Sequence, residues 1–215
     1  MPAAPRGLPG ALPPGERLLW QGAPDWRVLA TRVFHVRKIA LYFAILLVWY
    51  LASSLQGEEA TLAVLLGTAR LAGVALIPVG VVLVYAWLTA RTTVYSITSR
   101  RVVIHGGVAM PLSINIPFAR IASADLRVEA GGTGDISLAL TAKDHLAYFM
   151  LWPHARPWRM ARPQPTFRAI RDAQATAEIL SRAVAAAGLV ATAAQPGSAA
   201  PEKASMPAGH PAMAA

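Results

Sequence analysis

The chain of 215 residues contains no cysteine. This absence excludes disulfide bonds, cysteine-ligated zinc and thiolate catalysis, and it leaves the redox compartment undetermined. Charged residues are scarce as well, at 14% of the sequence, against about 25% in ordinary soluble proteins. Hydrophobic residues make up 55% of the chain. The composition therefore favours a membrane protein.

Acidic residues are few, at 11 against 20 basic ones, which gives a formal net charge of +9. Such a surplus suits nucleic acid, anionic lipid or an acidic partner. Residues 1–15 are rich in Pro, Ala and Gly and lack the apolar core of a signal peptide, so we expect a flexible leader. Residues 189–215 have few large apolar side chains and are predicted to be a disordered tail.

Two long stretches carry no charge, residues 39–56 and residues 71–90. At about 1.5 Å per residue, a helix over the shorter stretch spans about 27 Å, close to a hydrocarbon core of about 30 Å. An Arg at mid-membrane costs about 2.5–3.5 kcal/mol, so Arg70 is expected at the interface. Buried helices of a soluble core are the alternative, but they rarely lack all charge for so long.

Basic residues flank this predicted transmembrane hairpin (residues 39–90) on its two outer sides. They are Arg27, Arg32, Arg37 and Lys38 before it and Arg91, Arg100 and Arg101 after it. The intervening loop carries Glu58 and Glu59. Because cytoplasmic flanks carry the excess of Lys and Arg, both termini are predicted to lie in the cytoplasm. Residues 1–38 then form an N-terminal cytoplasmic segment.

Two further features bear on what the helices do. Pro78 and Gly80 lie midway along the second helix, where they favour a kink. No ionisable residue lies near them to hold a substrate, so a transporter is not expected. Ala40 and Ala44 give one small-residue spacing typical of helix–helix contacts. Contact with another helix, including a second copy of this chain as a homo-oligomer, stays open.

After Arg91 the pattern changes to alternation of apolar and polar residues, which predicts strands with one buried face. Six short strands are predicted, at residues 93–97, 101–105, 110–116, 124–128, 136–140 and 146–150. A closing helix is predicted to be capped by Thr166 and to end at Gly188. The apolar stripe of this helix consists of Ile170, Ala173, Ala177, Leu180, Val184 and Ala187. The predicted fold is thus a membrane α-helical hairpin plus an α+β domain at residues 91–188, an antiparallel sheet or open barrel capped by a C-terminal helix.

Three runs of this domain, TTVYSITSRRVVIHGG, IPFARIASADL and GGTGDISLAL, resemble the bacterial pleckstrin-homology-like (bPH2) domains that adjoin membrane hairpins. The preceding GERLLWQGAPDW is similar to the segment that these proteins carry before their first helix. A fuller likeness, which includes FHVRKIALYF and covers about residues 8–188, is to photosynthetic-complex assembly proteins of purple bacteria.

This resemblance implies a non-catalytic assembly factor in the bacterial inner membrane, cytoplasmic or intracytoplasmic, with reaction-centre and core light-harvesting subunits as partners. A general bPH2-type membrane protein, serving lipid sensing or envelope stress, is the alternative that the sequence leaves open. The sequence does not indicate which subunit is contacted or whether pigment is handled.

No constellation of residues indicates chemistry. The five His residues show no metal-ligand spacing such as HExxH, so neither a metal site nor a cofactor is expected. The GGTGD run at residues 131–135 lacks the Lys-Ser/Thr of a phosphate loop and favours a hairpin turn. Nothing places a nucleophile beside a base, so an enzyme is not expected.

One basic surface is predicted between the sheet and the closing helix. The cations of residues 151–171 are Arg156, Arg159, Arg162, Arg168 and Arg171, and Trp152 and Trp158 accompany them. Each cation near an anionic leaflet contributes about 1 kcal/mol, and Trp favours the interface. Arg156, Trp158, Arg159 and Arg162 are the predicted contact with a membrane or partner, sharing one face if the stretch is helical. The alternative is a solvated linker, and nucleic acid is not expected.

Overall fold

The computed structural model describes residues 6–8, 10–57, 61–108, 110–129, 131–141, 148–157 and 159–193. The strands of this part of the chain are β1 (Leu18–Gly22), β2 (Val94–Thr98), β3 (Arg101–Gly106), β4 (Leu112–Pro117), β5 (Ile121–Val128), β6 (Gly134–Leu140) and β7 (Thr166–Ile170). The α-helices are α1 (Trp26–Val28), α2 (Val36–Ser54), α3 (Thr61–Thr92), α4 (Tyr148–Leu151) and α5 (Ala173–Ala193).

The strands form two antiparallel sheets. Sheet A has the order β1-β2-β3-β4, and sheet B has the order β5-β6-β7. The turn between β2 and β3 is fixed by Thr98, whose Oγ1 accepts the backbone N–H groups of Arg100 at 3.2 Å and Arg101 at 3.0 Å. Five of the six predicted strands are confirmed as β2 to β6, with ends that differ by up to three residues from the prediction.

Helix α5 closes the core between the two sheets. Its buried stripe includes Ala173, Leu180 and Ala183, which pack with Tyr95 and Phe167 from the two sheets. The sequence predicted most of this stripe correctly because a period of 3.6 residues places these positions on one face. The predicted antiparallel sheet architecture with a C-terminal helix is confirmed.

The helical hairpin is inserted within sheet A, since α1, α2 and α3 all lie between β1 and β2 along the chain. The antiparallel register pairs Gly22 with Tyr95 and Gln21 with Ser96. Just before β1, the carboxylate of Glu16 accepts hydrogen bonds of 2.8 and 3.1 Å from Arg101. β1 lies before the predicted domain boundary at residue 91 and pairs with β2 in the same sheet.

Other predictions of local structure are wrong for the closing part of the domain. Thr166 begins β7 and bonds Ser137 through its hydroxyl at 3.1 Å, so it does not cap a helix. The helix starts only after Asp172, which adopts a φ of 50°. It passes Gly188 and ends at Ala193, inside the predicted tail. The predicted strand at residues 146–150 is wrong in its described part, because Tyr148–Leu151 is helical.

The hairpin also differs from prediction in its bounds. Helix α3 begins ten residues before the predicted stretch and continues through both Arg70 and Pro78. The Tyr50 hydroxyl lies against Gly67, where an added Cβ would come within 1.8 Å of it, and the rings of Phe34 and Tyr85 lie 5.3 Å apart. Arg70 lies nine residues inside α3 and one turn beyond Gly67, and its location at the membrane interface stays a prediction.

The side chains of the hairpin are mostly uncovered. Leu41 is 61% exposed, Trp49 is 75% exposed and Leu76 is 70% exposed. Within this single chain the two helices are therefore not buried as the core helices of a soluble domain would be. Val36–Ser54 and Thr61–Thr92 are long and apolar enough to span a membrane.

The predicted leader is partly attached to the domain. Within the described residues, the Arg6 guanidinium donates a hydrogen bond of 3.0 Å to the carbonyl of Arg91, and the carbonyl of Arg6 accepts one of 2.6 Å from Gln21. The segment before β1 therefore contacts both β1 and the end of α3. Residues 1–5 and 9 lie outside the described part.

Candidate functional site

The predicted basic surface is not one continuous patch. An isolated bridge between Ala155 and Pro165 closes the chain into a loop, and its described residues form no helix. Arg156 contacts Asp125 at 2.5 Å and donates a 3.0 Å hydrogen bond to Gln164. Because the described part of the stretch is not helical, the predicted contact residues have no reason to share one face. Arg156 already has a partner in Asp125.

The remaining cations of the stretch separate into two groups. Arg168 lies 3.7 Å from the carboxylate of Asp135, and Arg171 contacts Asp25 at 3.0 Å. Arg159 and Arg162 are exposed and make no ion pair with any described residue. Trp158 lies outside the described residues. Contact of this stretch with a membrane or partner stays a prediction. Of the predicted contact residues that the structure describes, Arg159 and Arg162 are the ones with an exposed, unpaired charge.

The structure places Trp152 in a different cluster, which joins the helices to the sheets. Its ring stacks on Tyr85 of α3 at 5.9 Å and meets the edge of Phe34 at 5.8 Å. Beside these rings, Leu29 and Ala86 are fully buried in a second, smaller core. We call this region the junction. Alternation and helical periodicity report only local neighbours, so neither indicated these contacts.

Charged pairs hold the junction from outside. Arg32 pairs with Glu129 at the end of sheet B, and Asp25 pairs with Arg171. The side-chain hydrogen bond from Arg32 holds the pKa of Glu129 below its ordinary value. The backbone N–H of Asp25 also donates a 2.7 Å hydrogen bond to the carbonyl of Ala169. The segment before α2 is thus fixed to sheet B as well as to α3.

A buried polar group lies behind the junction. The Tyr95 hydroxyl accepts the backbone N–H of Arg168 at 3.1 Å, so its own hydrogen points to Nδ1 of His154 at 2.8 Å. Nε2 of His154 then carries the ring hydrogen and donates it to the Thr93 hydroxyl at 3.2 Å. Burial lowers the pKa of His154 to about 4 and raises that of Tyr95. His154 is therefore neutral, and both its ring nitrogens are engaged.

The hydrogen bonds of Tyr95 and His154 leave neither side chain free to bind a metal. A metal would need a free ring nitrogen, and His154 has none. The other described ring at a strand, His105, bonds the hydroxyl of Ser113 at 2.7 Å through Nδ1. Within the described residues, no group of three or more potential metal ligands is found. The junction is suited to hold the helices in a fixed position on the sheets.

Comparisons with known proteins give the family. A family model described as "Bacterial PH domain" matches residues 33–184. A relative from Rhodobacter capsulatus, described as an "Uncharacterized 23.7 kDa protein in puhA 5'region", is 37% identical over 181 residues, which is 84% of this chain and 85% of the relative. No solved structure gives a significant match. With so much of its length matched, the chain belongs to the bacterial PH domain family.

Proposed function

We propose that the protein is a membrane-anchored, non-catalytic assembly factor for the photosynthetic reaction centre and its core light-harvesting complex, of the PuhB type. The observation that carries this proposal is the similarity to the relative described as a protein of the puhA 5′ region. The likeness of residues 8–188 to photosynthetic assembly proteins agrees with that location. Reaction-centre and core light-harvesting subunits are the proposed partners.

Anchoring in the inner membrane is supported by the exposed surface of the hairpin. Leu41, Trp49 and Leu76 are exposed. Moving such side chains from water into a membrane is favourable by about 25 cal/mol for each Å² of apolar area that is buried. Arg37 and Lys38 at the start of α2 and Arg91 at the end of α3 occupy neighbouring ends of the hairpin. This asymmetry supports both termini in the cytoplasm.

A non-catalytic role is supported by the engagement of the buried polar groups. The groups most suited to proton transfer, Tyr95 and His154, bond each other and the backbone, and their pKa values are moved away from neutrality in opposite directions. General acid–base catalysis favours a pKa near the working pH. In this proposal the sheets act by contact: the hairpin meets partner helices, and the sheets meet the parts of the same subunits outside the membrane.

The test is deletion of the gene in its host. We expect accumulation of the reaction-centre–antenna complex to fall, measured by its absorption bands in isolated membranes, while total pigment synthesis continues. A wild-type copy should restore the complex. A copy lacking residues 39–90 should not, because it loses the hairpin together with the part of the junction that Tyr85 and Ala86 form. Normal complex levels together with altered envelope-stress behaviour would instead favour a general bPH2-type membrane protein.

A further inference from the structure

A cavity of about 540 Å³ lies between the C-terminal end of α3 and sheet A. Tyr85 and Thr89 of α3 form one wall, Ile104 and Leu112 of the β3–β4 hairpin form the opposite wall, and Trp152 lies at its side. Ligand sites for small molecules measure about 300–1,000 Å³ and are mainly apolar. This cavity has the size and the lining of such a site.

One polar atom in this lining has no partner. Thr89 is only 2% exposed, and its Oγ1 makes no hydrogen bond with any described residue. One turn further on, the Thr92 hydroxyl bonds the carbonyl of Leu88 at 3.0 Å, which is the usual arrangement for Thr in a helix. A buried hydroxyl without a partner costs about 1–3 kcal/mol. The Thr89 hydroxyl thus has an unused hydrogen-bonding capacity, but its oxygen has almost no accessible surface, so a bound group would reach it only after the side chain rotates toward the cavity.

The remaining lining sets the charge of that group. Among the described residues, no Lys, Arg, Asp or Glu lines the cavity, and His154 directs both ring nitrogens to Tyr95 and Thr93. Placing an ion there would leave it without a counter-charge in an apolar site, at a cost of several kcal/mol. The cavity is thus suited to a neutral, mainly hydrocarbon group with a single hydrogen-bonding atom.

The mouth of the cavity is apolar and leads to the outer face of α3. Met110 is 82% exposed and Met150 is 56% exposed at its rim. Tyr85 lines both the cavity and a shallow apolar groove that runs along α3 past Val81 and Ile77. If α3 lies in a bilayer, this groove brings hydrocarbon up to Tyr85, the residue that it shares with the cavity.

We propose that the cavity binds an acyl chain of a membrane phospholipid, with the ester carbonyl of the lipid accepting a hydrogen bond from Thr89 Oγ1. The proposal rests on the proposed membrane anchoring and not on a role in photosynthetic assembly. A bound chain would extend the apolar contact of the hairpin into the sheets. Lipid would then be a structural component of the junction.

The test uses the full-length protein in nanodiscs that contain a phosphatidylcholine with a photoreactive group on one acyl chain. After illumination, we expect labelled peptides from residues 104–114 and 150–154 in addition to peptides from α2 and α3. Labels confined to α2 and α3 would overturn the proposal while leaving the membrane anchor intact. Absence of label from every segment would overturn both the lipid site and the anchor.

Matched variants test the assignment of Thr89. Thr89→Val, which removes one hydroxyl without changing shape, should lower labelling of residues 104–114 about 3–10-fold, the range for loss of one hydrogen bond. Thr92→Val is the control and should leave that labelling unchanged. Leu112→Trp should fill the cavity and lower it more than tenfold. Equal effects of Thr89→Val and Thr92→Val would contradict the hydrogen bond.

An ether-linked lipid separates binding of the chain from the hydrogen bond. Because the ether lacks the carbonyl, its labelling of residues 104–114 should be the same in wild type and in Thr89→Val. A decrease with the ether lipid would mean that the substitution acts on the fold. Thermal unfolding of Thr89→Val provides the second check, and its midpoint should be unchanged or raised because no described hydrogen bond is lost.

Discussion

The hydroxyl of Tyr95 lies 2.8 Å from Nδ1 of His154, across 59 positions of sequence. This bond joins the first strand after the hairpin to the segment that follows α4. Both side chains are buried, so water is not available to replace either partner. Burial lowers the pKa of His154 to about 4, so the ring is neutral in the folded protein near neutral pH.

We predict that stability falls on acidification because of His154. Burial, followed by the charge of Arg168, lowers the pKa of His154 from 6.5 to about 4. Between pH 6.5 and pH 4, His154 is protonated in the unfolded chain but neutral in the folded chain. The free energy of unfolding therefore falls with falling pH, by up to about 3 kcal/mol, and it stops falling below pH 4. The measurement is urea unfolding of the full chain in detergent from pH 7.5 to pH 4. His154→Gln should lose this part of the slope, and an unchanged slope would contradict the prediction.

The ion pair before β1 gives a second prediction. Glu16 is 8% exposed and accepts two hydrogen bonds from Arg101. Glu16→Ala leaves the guanidinium partly buried without a partner and should cost about 2 kcal/mol of unfolding free energy. The measurement is the urea midpoint at neutral pH. Glu178→Ala, at an exposed carboxylate on α5, is the matched control and should change the midpoint little. Similar losses in both variants would indicate a general charge effect.

Substitutions of two glycines, one inside α5 and one at the start of β6, should change stability in opposite directions. Gly188 lies inside the helix, and nothing lies within 4 Å of a Cβ added there. Gly188→Ala should therefore stabilise the protein by about 0.5–1 kcal/mol, measured from the thermal midpoint. Gly134→Ala is the opposite case, because its Cβ would lie 2.3 Å from the carbonyl oxygen of Arg127 and should destabilise the protein. A loss of stability in Gly188→Ala would restore the helix stop that the sequence predicted.

The basic surface gives a fourth prediction. The double substitution Arg159→Gln with Arg162→Gln should weaken binding of the full-length protein, held in neutral nanodiscs, to anionic vesicles or to purified reaction-centre complex. At about 1 kcal/mol per cation the loss is about 2 kcal/mol, and it should shrink with rising salt. Arg156→Gln is the control, since that side chain already pairs with Asp125. If Arg156→Gln weakened binding as much as the pair, the patch would not be specific.

The topology of the hairpin gives a fifth prediction. A reporter fused after Gly188 should report the cytoplasm, and one inserted at Gly57, between α2 and α3, should report the periplasm. The charge asymmetry across the two helices is the physical reason. A control fusion before Leu18 should agree with the fusion after Gly188. Opposite locations for these two fusions would refute the hairpin.

The sequence predicted those elements whose pattern is local. Alternation identified β2, β3 and β6, since each has a buried face. It missed β7, because Thr166–Ile170 precedes α5 and its apolar residues also fit a helical period. It missed β1 because five residues separated from their partner strand by the whole hairpin give no pairing signal.

The candidate site was less accessible for the same reason. Charge composition indicated a basic stretch, but the partners of Arg156 and Arg171 come from distant parts of the chain. Phe34, Tyr85 and Trp152 meet only after folding. No periodicity in one sequence reports that three aromatic rings from separate segments share a cluster. The Thr89 hydroxyl likewise becomes notable only when its lack of a partner is visible.

The insertion of the hairpin between two neighbouring strands has a consequence for biosynthesis. Roughly 70 residues separate β1 from β2, so β1 waits about 4–14 s for its partner at 5–20 residues per second. If only one helix crossed the bilayer, the two strands would emerge on opposite sides of it and could never pair. In the proposed topology, sheet A therefore closes only when the hairpin crosses the bilayer an even number of times, and a chain threaded only once would leave one edge of β2 unpaired.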